Sequence, residues 1–61
     1  MKDIKEVLME RDHMSEEEAE ELIRAARAQM YDYLRRGDIN AAYEVCGEYF
    51  GLEPDYLPQL I

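Results

Sequence analysis

The chain has 61 residues, seven basic and fifteen acidic side chains, and a net charge of −8 at neutral pH. Such a surface repels nucleic acid, because nucleic-acid binders gain much of their affinity from Lys and Arg side chains that neutralise phosphates. The longest stretch without a charged side chain has six residues (56–61), against the roughly 20 apolar residues of a membrane span. The sequence therefore predicts one small domain, residues 1–61, that binds neither nucleic acid nor a membrane.

The cysteine content and the first residues predict a cytoplasmic protein. Cys46 is the only cysteine, so no internal disulfide can form and nothing indicates an oxidising compartment. Residues 1–10 carry five charged side chains, which does not fit the apolar segment of a secretory signal.

A first amphipathic helix is predicted at residues 3–11. Ile4, Val7 and Leu8 lie at helical spacing, and charged side chains occupy the other side. A break follows at residues 12–14.

A long second helix is predicted at residues 16–36. Ser15 and Glu18 have the spacing of a capping box, in which each side chain bonds the backbone N–H of the other residue. Gly37 is placed to end the helix in the left-handed conformation. Apolar side chains recur every three or four residues and predict the buried face: Ala19, Leu22, Ile23, Ala26, Met30, Tyr33 and Leu34.

A third helix is predicted at residues 39–50, with Asp38 as its N-cap and Gly51 at its end. Gly47 weakens this helix, and a small residue there suits the close approach of another helix. The predicted buried face consists of Ile39, Ala42, Tyr43, Cys46, Tyr49 and Phe50.

The tail, residues 52–61, is predicted to fold back onto the second and third helices or onto another chain. Pro54 suits the first position of a short helical turn, and Pro58 prevents a long regular helix. Its apolar side chains are too many to lie freely in water: Leu52, Tyr56, Leu57, Leu60 and Ile61.

The charge falls into three blocks along the chain. Residues 1–21 carry a net charge of −6, residues 22–36 of +3, and residues 37–61 of −5. The acids at 16–21 begin the second helix, where the helix dipole favours carboxylates; an acidic docking face is the alternative. The final block contains no base, so its acids are either solvated or face a basic patch of a partner.

No residue pattern indicates catalysis or metal binding. His13 and the acids that follow it offer at most three ligands, fewer than the four of a closed zinc site. Cys46 as a nucleophile would need an activating base, and a small core residue is the simpler interpretation. The many carboxylates are uninformative without an apolar cleft that shifts a pKa. We therefore predict no enzymatic activity, no cofactor and no metal.

The aromatic side chains contribute to a predicted binding surface. Tyr31 and Tyr56 are expected to lie outside the core beside acidic residues, a composition common at protein interfaces. A tyrosine that merely lies along a helix edge is the alternative. With the acids of the final block, these considerations give the candidate partner-binding residues Glu44, Glu48, Asp55 and Tyr56.

Three segments carry a resemblance to known proteins. They are Ser-Glu-Glu-Glu-Ala-Glu-Glu-Leu-Ile at 15–23, Gly-Asp at 37–38 and Tyr-Phe-Gly-Leu-Glu-Pro-Asp-Tyr-Leu at 49–57. In these segments the chain resembles short uncharacterised acidic helical proteins encoded by bacteriophages and bacterial mobile elements. The resemblance implies a small accessory or host-modulating binder and assigns no activity to any residue.

The expected fold is all-α, a small three-helix bundle with a long central helix and a short C-terminal turn. A chain of this size gains only about 3–5 kcal/mol from a single core, which favours a role in association. The leading hypothesis is a non-catalytic, acidic protein-interaction module that presents its surface to a basic partner site. The alternative is a structural homodimer in which helices and apolar tail complete a shared core, with Leu22, Met30 or Leu57 at its seam.

Overall fold

A computed structural model describes all 61 residues, and its regular structure is entirely helical. Its segments are α1 (Ile4–Arg11), α2 (Glu16–Arg35), α3 (Ile39–Tyr43), α4 (Val45–Phe50) and a C-terminal 3₁₀ helix (Pro54–Gln59). The helices α1, α3 and α4 all pack on α2, and the 3₁₀ helix packs on α4. The all-α class with a long central helix is therefore confirmed, with four α-helices in place of the predicted three.

Local hydrogen bonds fix both ends of α2. The Ser15 hydroxyl accepts from the Glu18 N–H at 3.1 Å, and the Glu18 carboxylate accepts from the Ser15 N–H at 2.9 Å, so the predicted capping box is present. At the other end, Gly37 has a φ of 77°, and the Asp38 N–H bonds to the Tyr33 carbonyl at 2.9 Å. This bond around a left-handed glycine is a Schellman motif, which ends the helix and turns the chain into α3.

The core is formed by ten apolar side chains from all four α-helices and the C-terminal segment. Cys46 is fully buried, as predicted. Leu34 is 41% exposed and does not belong to the core, contrary to the predicted stripe. The core residues are Ile4, Leu8, Ala19, Ala26, Met30, Ala42, Val45, Cys46, Phe50 and Leu60.

The predicted third helix is interrupted at Glu44. The Glu44 N–H bonds to the Ala41 carbonyl at 3.1 Å, a 3₁₀ span, before α4 begins. Because a 3₁₀ turn contains about 3.0 residues instead of about 3.6, the buried face rotates at this point and Val45 enters the core. Ile39 and Tyr43 are 61% and 56% exposed. The prediction that these two side chains are buried was therefore wrong.

The two glycines of this region have different roles. Gly51 has a φ of 65° and ends α4, as predicted. A Cβ at Gly47 would have the Leu52 carbonyl oxygen as its nearest neighbour, at 3.8 Å, which is ordinary van der Waals contact. The predicted close approach of another helix at Gly47 is therefore absent.

The tail folds back onto its own chain. Leu60 is fully buried, and its carbonyl accepts a hydrogen bond from Arg27 Nε at 3.0 Å. The Gln59 side chain accepts from the Ile4 N–H at 2.8 Å and donates to the Lys2 carbonyl at 3.1 Å. The tail thereby joins α2 and the start of α1 as well as α4, and its 3₁₀ helix begins at a proline, as predicted.

Candidate functional site

The structure divides the four predicted partner-binding residues between two elements. Glu44 and Glu48 lie one helical turn apart, joined by the bond from the Glu48 N–H to the Glu44 carbonyl at 3.1 Å, and both side chains are exposed. Asp55 is exposed in the first turn of the 3₁₀ helix. Tyr56 is half-buried against the core, so the prediction that it lies outside was wrong. The structure thus brings the two glutamates together and leaves Asp55 and Tyr56 on a separate element.

All six ion pairs join residues of the first 36 positions. Lys5 contacts the carboxylates of Glu16 and Glu20 at 3.3 and 3.2 Å, so Glu20 does not pair with Arg24 one turn further along α2. The other pairs are Lys2–Glu10, Arg11–Asp12, Asp32–Arg35 and Asp32–Arg36. The acids that begin α2 therefore serve its cap and its contact with α1, which favours a structural role for them over docking.

The acids after position 37 have no cationic partner within the chain. They are Asp38, Glu44, Glu48, Glu53 and Asp55, and none forms an ion pair. Asp38 accepts a hydrogen bond from the Ala41 N–H at 3.2 Å and so caps α3. This half of the molecule consequently presents uncompensated negative charge to its surroundings.

A surface groove lined entirely by apolar side chains lies between the end of α2 and α3. It has a volume of about 120 Å³ and is lined by Met30, Leu34, Ile39, Ala42, Tyr43, Leu57 and Ile61. We call these seven residues the apolar groove. Four of them are strongly exposed: Leu34 at 41%, Ile39 at 61%, Tyr43 at 56% and Ile61 at 79%. A contiguous exposed apolar patch of this kind marks an interaction surface more often than scattered apolar residues do.

Sequence reasoning missed this groove because it assigned the same residues to the core. Leu34, Ile39 and Tyr43 fit apolar stripes of uninterrupted helices, and periodicity alone does not tell a core face from an exposed one. The seam residues proposed from the sequence are also placed differently. Met30 is 2% exposed and closes the floor of the groove, while Leu22 and Leu57 pack partly buried against the core.

Arginines flank the groove residues of α2 in the sequence, although none of them lines the groove itself. Arg24, Arg27 and Arg35, which we call the arginine strip, are exposed and share a face of α2 with Leu34 and Tyr31 at spacings of three, four and seven residues. Arg27 also reaches the C-terminal segment through its bond to a carbonyl there. The helix that forms one wall of the groove thus carries basic side chains beside it, whereas the other wall belongs to the acidic half of the chain.

A second depression lies at the start of α1, with a volume of about 380 Å³. Three of its four polar side chains are already engaged within the chain: Lys5 pairs with two glutamates, Arg27 bonds the Leu60 carbonyl, and Gln59 bonds the backbone of the first residues. Its lining residues are Asp3, Ile4, Lys5, Ile23, Arg27 and Gln59.

The residues considered for chemistry are separated by the fold. His13 lies exposed in the turn between α1 and α2 with a φ of 57°, whereas Cys46 is fully buried in α4. Burial raises the pKa of the Cys46 thiol and so disfavours the thiolate, which is the nucleophilic form. No three His, Cys, Asp or Glu side chains are grouped so that they could hold a metal ion.

Comparison with known protein families, with curated proteins and with solved structures finds no significant match to this chain. Among its helices, none combines the length and the apolar character that crossing a bilayer requires. The apolar groove and the charges around it are therefore the features of the chain that bear on its function.

Proposed function

We propose that the protein is a non-catalytic protein-interaction module. Its apolar groove binds a partner surface that is apolar at its centre and basic at its edge. The observation that carries the proposal is the groove itself, which is lined by seven hydrophobic residues and by no charged one. The chain already has a closed core of ten buried apolar residues, and only Met30 and Ala42 belong to both sets.

The charge of the neighbouring residues supports a basic partner. Glu44 follows the groove residue Tyr43 directly, and Asp38 precedes Ile39. Neither acid has an ion pair within the chain. Glu48 lies one turn beyond Glu44, and Asp55 carries a further negative charge on the 3₁₀ helix that packs against α4. Charge of this kind accelerates encounter with a basic partner and selects against acidic ones. Its effect declines as salt screens it, with a Debye length of about 8 Å at physiological ionic strength.

The resemblance to phage-encoded proteins supports an accessory or host-modulating role, with the partner in the cytoplasm. In that role the acidic surface steers the chain toward a basic site, and the groove supplies the apolar contact that holds it there. The association rate then depends on the acids, and the dissociation rate depends on the groove residues.

A synthetic amphipathic peptide of leucine and lysine tests the proposal. Fluorescence anisotropy of the labelled peptide is expected to report binding that weakens in the double variant Ile39→Ser/Tyr43→Ser. Met9→Ser is the matched control, because Met9 is also exposed, at 37%, but lies on α1 outside the groove. Equal binding by the groove variant and the control would contradict the proposal, as would equal affinity for a leucine–glutamate peptide.

A further inference from the structure

We infer that the apolar groove binds a second copy of this chain, in a homodimer whose two-fold axis runs along the groove. The inference rests on the proposed function and names the partner of the same surface. A suitable partner must be apolar at its centre and basic at its edge, and the chain carries such a surface itself. Leu34 and Tyr31, which are 41% and 44% exposed, lie on the same face of α2 as the arginine strip.

The charges on the two sides of the groove are complementary to each other. Residues 22–36, which contain the α2 wall, carry a net charge of +3, and residues 37–61, which contain the α3 wall, carry −5. Within the basic block, the only acid is Asp32, which is shared between Arg35 and Arg36. Arg24 has no ion pair, so its charge is available to a partner.

This arrangement selects one direction for the symmetry axis. In a two-fold dimer the same patch serves both copies, so each contact occurs twice. An axis along the groove places α2 of one copy over α3 of its partner, and the arginine strip then faces Asp38 and Glu44 on both sides. An axis across the groove places α2 over α2 and opposes two arginine strips, which costs energy.

The surface area that a stable dimer buries is consistent with an interface that includes both walls of the groove. A specific interface buries about 800 Å² on each partner, roughly a fifth of the 4122 Å² accessible surface of the chain. The groove residues form the apolar centre of such an interface, and the charged walls form its polar rim. Ile61, which is 79% exposed in the single chain, is covered by the partner copy in this arrangement.

Sedimentation equilibrium of the full chain tests the inference. We expect a mass of twice 7.2 kDa at high concentration and dissociation on dilution. Ile39→Glu raises the dissociation constant at least about tenfold, because it introduces a charge at the centre of the interface. Glu21→Lys is the control, because Glu21 is an exposed residue of α2 outside the groove, and it leaves the dimer intact. Circular dichroism verifies that each variant is folded.

A charge exchange tests the direction of the axis. The Arg24→Glu/Arg35→Glu variant and the Glu44→Lys variant each place like charges opposite one another, so each alone associates more weakly than the wild-type chain. Mixed together, they restore opposite charges at both walls, and a heterodimer forms. Failure of the mixture to associate more tightly than either variant alone overturns the proposed axis.

The outcomes separate this inference from the proposed function. A monomer at every concentration that still binds the leucine–lysine peptide through the groove overturns the homodimer and leaves the interaction module standing. A monomer that binds no peptide overturns both. If Ile39→Glu leaves the dissociation constant of the dimer unchanged, the interface lies elsewhere on the chain, and this result also overturns the inference.

Discussion

Gln59 and Ile4, 55 positions apart in the chain, are joined by a hydrogen bond of 2.8 Å from the Ile4 N–H to the Gln59 side-chain oxygen. The amide nitrogen of the same side chain donates to the Lys2 carbonyl at 3.1 Å. The first N–H groups of a helix have no partner within the helix, so Gln59 supplies to α1 a cap from the opposite end of the sequence. Asp3, the local N-cap residue, makes no such side-chain bond.

Removal of this long-range cap is expected to destabilise the protein. Gln59→Ala loses both hydrogen bonds and lowers the free energy of unfolding by about 1–2 kcal/mol. Gln59→Glu keeps the acceptor for the Ile4 N–H and loses only the donor to Lys2, so its stability lies between those of Gln59→Ala and the wild type. Urea unfolding followed by circular dichroism measures both. Equal stability of all three chains would show that the bonds contribute nothing.

The capping box of α2 predicts a specific pH dependence. Hydrogen bonds from the backbone N–H and the hydroxyl of Ser15 lower the pKa of Glu18. Because the folded pKa lies below the unfolded one, the stabilisation is fully present above an unfolded pKa of about 4.3 and is lost as the pH falls through the folded value. Glu18→Gln keeps a side-chain acceptor that does not titrate, so we expect its unfolding free energy to fall less between neutral and acid pH.

Thermal unfolding of both chains across this pH range measures the difference. Glu21→Gln is the matched control, since Glu21 is an exposed acid of the same helix outside the box. If Glu18→Gln and Glu21→Gln show the same dependence on pH, the capping bond has no part in it.

Burial of Cys46 predicts the opposite pH dependence. Desolvation raises the pKa of the thiol, so the folded state favours the neutral form. Its contribution to stability is fully present below an unfolded pKa of about 8.5 and is lost as the pH rises through the folded value. We expect the unfolding free energy of Cys46→Ala to fall less at alkaline pH than that of the wild-type chain. We also expect an aromatic disulfide reagent to react with the native thiol much more slowly than with the thiol of the unfolded chain. Equally fast reaction in both states would contradict the buried position.

The elements that the sequence predicts well are those fixed by neighbours in the chain. The capping box at Ser15 and the left-handed stop at Gly37 each depend on residues within five positions, so their spacing is sufficient evidence. The break at Glu44 has no such local marker. It moves Val45 into the core, whereas Ile39 and Tyr43, which precede it, are exposed and line the groove.

The candidate site was less predictable than the fold, because few of its features are fixed by residues that are neighbours in the sequence. Glu44 and Glu48 could be proposed from the absence of nearby bases, because that is a property of the sequence. The groove joins the end of α2, α3 and the tail, and residues such as Leu34 and Ile61 meet only after the chain has folded back. The periodicity of apolar residues identifies an apolar helix face, but it does not predict which element covers that face.

Gly47 within α4 and Gly51 at its end predict opposite effects of the same substitution. Gly47 lies in the helix, and a Cβ there meets only a carbonyl oxygen at 3.8 Å, so Gly47→Ala is expected to raise the free energy of unfolding by about 0.4–1 kcal/mol. Gly51 has a φ of 65°, where a side chain costs about 1–2 kcal/mol, so Gly51→Ala is expected to lower stability by that amount. Urea denaturation of the two variants provides the comparison, and each is the control for the other because both add one methyl group. Destabilisation by Gly47→Ala would contradict this prediction, because it would mean that a methyl group at position 47 clashes with its neighbours.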